Sequence, residues 1–75
     1  MKTFAEAQTA AIVQINSEPV DNGMHYAWIQ RKAHFAKEMT EETMRDILKT
    51  NPRGLTDDSA KFDVAQLIQH LMKHG

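Results

Sequence analysis

Four short stretches of the chain repeat apolar residues every three or four positions, and at least three of them open on a residue type that caps helices. A helix with one apolar stripe is stable only when that stripe packs on another element, so four such stretches in 75 residues point to helices packed on each other. The expected fold is all-α: a small bundle of three to four short helices within a single domain spanning residues 1–75. A chain this short buries a smaller share of its surface than a larger one, which makes a second copy or a bound partner a natural way to complete the core.

The first stretch runs from about Thr3 to Asn16. Thr3 and Glu6 have capping-box spacing, where hydroxyl and carboxylate each satisfy a free backbone N–H. Phe4, Ala7, Ala11, Ile12 and Ile15 follow at helical intervals, and the alanines would let a neighbouring helix come close. A strand over Ala11–Ile15 competes, because Ile12, Val13 and Ile15 are β-branched; the longer periodicity favours the helix. Pro19 then disfavours helix at Glu18, and Asn22-Gly23 is a turn pair whose flanks do not alternate as a hairpin's would.

The second stretch, about Asn22 to Glu38, can be capped by Asp21 or Asn22. Its expected buried stripe is Met24, Trp28, Phe35 and Met39, with Ala27 beside it and Ile29, Ala33 and Ala36 widening it. Arg31, Lys32 and Lys37 load its later half with positive charge, which suits the negative end of a helix dipole. Thr40 can cap a third helix over Glu41 to about Thr50, with Met39 and Met44 placed as a hydrophobic staple and Met44, Ile47 and Leu48 as the buried face. A sharp corner at Thr40 and one continuous helix over residues 22–50 are both open, and the cap favours the corner. Asn51-Pro52-Arg53-Gly54 is a turn. Thr56 or Asp58 then caps a fourth helix reaching about Lys73, whose stripe of Val64, Leu67, Ile68, Leu71 and Met72 is flanked by Phe62 and Ala65. Gly75 sits where a C-cap glycine belongs.

Composition excludes more than it assigns. The absence of cysteine rules out disulfides, thiolate zinc sites and cysteine nucleophiles, and fits a reducing, cytoplasmic setting. The first residues have neither the charge pattern nor the apolar length of a signal peptide, and the longest apolar run is only Ala10 to Val13, so no membrane segment is expected. Nine Lys and Arg against ten Asp and Glu give a net charge of −1, whereas a nucleic-acid binder draws its affinity from neutralising phosphate. Nucleic acid is therefore a partner the sequence allows without favouring.

No residue pattern carries catalysis. Ser17 and Ser59 lack a glycine elbow, and so small a chain has little room for a preorganised pocket, so no enzyme and no cofactor are expected. His70 and His74 are four apart on one helix face, a spacing that can chelate zinc, nickel or copper. Two ligands do not make a centre, however, and histidines near a helix C-terminus are explained by the dipole. A third ligand from His25, His34 or a second copy would be needed, so no metal site is expected. Asp57, Asp58 and Asp63 lack calcium-loop spacing and its closing Glu, and N-terminal helix capping explains at least two of them. His25, Tyr26 and Trp28 can form an aromatic patch, but Trp28 falls on the expected core stripe. The methionines are read as core filling, with adaptable binding surfaces as the other use of that side chain.

The reading that remains is a small non-enzymatic protein–protein interaction module, an adaptor, inhibitor or regulator of a larger protein, acting through a helix face. The expected partner-binding residues are His25, Tyr26, Gln30, Arg31, His34 and Lys37 on the second helix, joined by Arg53 in the turn. Tyr and Arg together are what interface centres favour. The partner is a larger protein, a second copy as a homodimer, or both. The alternative is a dimeric DNA-binding regulator of helix-turn-helix-like type. It is weakened by the long gap after the third helix and by the acidic start of the fourth.

Overall fold

The computed structural model describes residues 1–18 and 23–75, the stretch 23–25 by its backbone alone. It contains α1 (Phe4–Asn16), α2 (Gly23–Glu38), α3 (Glu41–Ile47) and α4 (Asp57–His74), with no strand among the described residues. The expected caps at Asp21 and Asn22, the proline break at Pro19 and the side chains of Met24 and His25 lie outside the described residues.

Three of the four helices begin as the local chemistry dictates. The Thr3 hydroxyl accepts from the Glu6 N–H at 3.2 Å, and the Glu6 carboxylate accepts from the Thr3 N–H at 3.0 Å, closing the capping box. Thr40 caps α3 by accepting from Thr43 N–H, and Thr56 caps α4 by accepting from Ser59 N–H. Extended backbone at Thr40 (φ −105°, ψ 162°) breaks the helical path between α2 and α3, so the chain turns a corner there. Met39 and Met44 on either side of that cap are both buried, as a staple requires. α3 ends at Ile47, earlier than periodicity suggests. The Thr50 N–H and hydroxyl both donate to the Ile47 carbonyl and tighten the chain into a turn. Gly54 follows with φ +78°, a left-handed conformation that its missing Cβ permits.

α1, α2 and α4 pack against one another pairwise, and α3 lies on α4. The Lys2 N–H donates to the Met72 carbonyl at 3.0 Å, so the start of α1 meets the end of α4. α2 and α4 run in step: Arg31 faces Asp57, and Phe35 faces Lys61. The core joins Ala7, Ala11 and Ile15 of α1 to Ile29 and Ala36 of α2, to Met39 and Met44, and to Val64, Ala65 and Ile68 of α4. Ile15, Val64 and Ile68 are its largest fully buried side chains. Among the described residues no polar or charged side chain is fully buried.

The α2 stripe is rotated from the expected one. Its buried centre is Ile29 and Ala36, while Trp28 and Phe35 are only half-buried at its edge. Aliphatic side chains occupy the centre because α2 is pressed between two helices, and an aromatic ring there would hold them apart. α4 behaves similarly, burying Ala60 and Ala65 with Val64 and Ile68 and leaving Leu67, Leu71 and Met72 half-buried against the core.

Close approach also brings a polar tie. The Gln8 side-chain amide of α1 donates to the Ala36 carbonyl at 2.6 Å and to the Met39 carbonyl at 2.9 Å. Both acceptors lie at the end of α2, where carbonyls lose their helical partners. Only the NH₂ group of the amide can serve them, which fixes its orientation. Replacing Gln8 with Met should cost about 1–3 kcal/mol by leaving half-buried carbonyls unmatched. Gln8→Glu, which puts acceptor oxygens against acceptors, should cost more. Urea unfolding of the three chains checks the order, and equal stability of Gln8→Glu and the parent would refute the tie.

Glu6 has a pKa below the ordinary carboxylate value, first because the Thr3 backbone N–H and then its hydroxyl bond to the charged form. A carboxylate lowered on folding stabilises the protein above its unfolded pKa, and that contribution fades as pH falls through the lowered value. The melting-temperature gap between the parent and Glu6→Ala should therefore be widest near neutrality and close in acid. A gap independent of pH would show that the carboxylate charge plays no part in the cap.

Candidate interaction face

Helical spacing puts Tyr26, Gln30, His34 and Lys37 on one ridge of α2, about 16 Å long. All four are exposed. Tyr26 remains 50% exposed, a large aromatic surface standing in solvent. Its hydroxyl accepts from the Gln30 side-chain amide at 2.8 Å, which braces two neighbouring side chains of the ridge. Ile29 and Ala36 are buried about a quarter turn round α2 from the ridge, which leaves the ridge itself outward.

His34 links the ridge to a groove of about 400 Å³ between α2, α3 and the first turns of α4. Phe35, Met39 and Ile47 give the groove apolar walls, and Glu38, Asp58 and Lys61 stand along it with His34. The Lys61 ammonium lies 5.1 Å from the centre of the Phe35 ring, within reach of its negative face. The His34 and Phe35 rings are tilted at 60° to one another with centres 5.6 Å apart. Charges of both signs beside an apolar floor suit contact with a protein chain, whose own surface mixes the same groups.

The remaining expected residues are placed differently. Arg31 leans to the start of α4, its guanidinium 3.2 Å from the Asp57 carboxylate with both side chains largely exposed. Such a pair contributes little to stability. Arg53 is exposed in the connection between α3 and α4, ahead of that same Asp57. His25 lies outside the described side chains. Phe35, Glu38, Met39, Ile47, Asp58 and Lys61 stand along the groove without being among the partner-binding residues expected from the sequence. Phe35 and Ile47 were assigned to the core, and Asp58 and Lys61 arrive from another helix.

Two cations of the basic cluster of α2 face carboxylates, while His34 and Lys37 are exposed. Arg31 is engaged with Asp57, and Lys32, with its side chain only 15% exposed, lies 3.5 Å from the Glu18 carboxylate. The connection between α3 and α4 spans residues 48–56, longer than a helix-turn-helix turn, and α4 opens on exposed Asp57 and Asp58. Among the described residues no group of three or more His, Cys, Asp or Glu side chains converges to hold a metal ion. Among the described residues no helix is long and apolar enough to cross a membrane.

No protein-family model matches the chain, and comparison with curated proteins and with solved structures finds no match.

Proposed function

We propose that the protein is a non-enzymatic interaction module that docks on a larger protein through the outer ridge of α2 and the groove beside it. The observation that carries this reading is the continuity of an exposed Tyr26–Gln30–His34 ridge with the Phe35–Met39–Ile47 groove. An aromatic residue braced by a neighbour loses little freedom on binding, and an apolar groove offers the desolvated pocket that interface anchors need. The module acts as an adaptor, inhibitor or regulator, in a reducing compartment such as the cytoplasm. A second copy of the chain can serve as partner on the same face. DNA binding draws little support, since two of the α2 cations are engaged by carboxylates.

The test is affinity capture from native lysate with the parent chain and with the double variant Tyr26→Ala/His34→Glu. Nuclease-treated and untreated halves are run side by side. Both positions are exposed, so the variant should keep its stability to within about 1 kcal/mol. The expected result is one stoichiometric protein that survives nuclease and is lost with the double variant. Loss of the bound proteins on nuclease digestion would instead favour the DNA-binding reading. Undiminished capture by the variant would place the interface elsewhere.

A further inference from the structure

His70 and His74 stand apart from the α2 face. Both are exposed, near the end of α4, and their ring centres are 4.8 Å apart with the planes tilted by 40°. Gln66, Gln69 and Lys73 surround them. The helix backbone alone holds the rings together, since residues four apart share a face. We propose that this pair is a two-imidazole chelate for a divalent late transition-metal ion, with Cu(II) as the preferred ion.

The preference follows from what the site supplies. Two nitrogen donors, with no third ligand converging on them among the described residues, fall short of the three or four that tetrahedral zinc centres use. Cu(II) stands at the top of the affinity order for a given nitrogen site and accepts a tetragonal arrangement, with water filling the remaining positions. The Lys73 charge beside the rings opposes any cation and keeps the affinity moderate.

The chelate has a structural consequence. Its spacing exists only while α4 is helical, so the ion binds the folded chain in preference to the unfolded one. The same turns carry the Leu71 carbonyl, which accepts from the Gly75 N–H at 2.8 Å, and the Met72 carbonyl, which accepts from the Lys2 N–H at 3.0 Å. A bound ion therefore tightens the end of α4 that holds the start of α1.

Cu(II) alone is titrated into the full chain near neutral pH, read by calorimetry and by thermal melts, and compared with His70→Gln, His74→Gln and His34→Gln. One ion per chain should bind saturably and raise the melting temperature. Affinity should fall roughly tenfold or more in His70→Gln and in His74→Gln and persist in His34→Gln. Melts without metal confirm that each variant folds. Absence of saturable binding to the parent chain overturns the proposal, and so does binding that both His70→Gln and His74→Gln retain in full.

Discussion

The structure depends on one constraint: α1 must lie close against both α2 and α4. A chain of 75 residues has few large side chains to spend on a core, and only Ile15, Val64 and Ile68 among the largest are fully enclosed. Beside Ile29, Met39 and Met44, the core is alanine where helices meet, with Ala7 and Ala11 on α1, Ala36 on α2 and Ala65 on α4 all without exposed surface. Small side chains let helix surfaces approach, and dense packing recovers in contact what the core lacks in volume. The Gln8 tie is a consequence, because its amide reaches the end of α2 only if α1 is near. Release of those carbonyls at Ala36 and Met39 coincides with the corner that sends the chain into α3.

The same packing makes the outer surface. With Ile29 and Ala36 turned inward, helical geometry leaves Tyr26, Gln30, His34 and Lys37 outward. Phe35 and Met39 fall between the two sides, and α3 is too short to cover the gap, which leaves the groove. The proposed docking face is thus a product of how the core was filled. Larger residues at the α2 centre would rotate the ridge and close or move the groove.

Much of the fold was legible because its signals are local. Thr3 with Glu6, Thr40 with its flanking methionines, and Thr56 act on N–H groups three residues away, so the sequence displays both partners of each cap. The ridge of α2 was legible for the same reason, as spacing alone aligns it. What sequence reading missed was non-local. Gln8 is a polar residue on an alanine-rich helix, and its acceptors lie 28 and 31 residues away. Lys61 over Phe35 and Asp57 beside Arg31 depend on α4 running alongside α2. The rotation of the α2 stripe escaped because periodicity weights Trp28 above Ala36, whereas the space between three helices admits the smaller group.

Urea unfolding of Ala11→Leu beside Ala5→Leu tests the close-packed seam most directly. Ala11 has no exposed surface, whereas Ala5 is exposed on the same helix. Leucine at position 11 should force α1 off its neighbours and cost about 1–3 kcal/mol, while leucine at position 5 should change stability by less than about 0.5 kcal/mol. Equal stability of the two variants would contradict the account, because it would mean that α1 can stand further from α2 and α4 without loss.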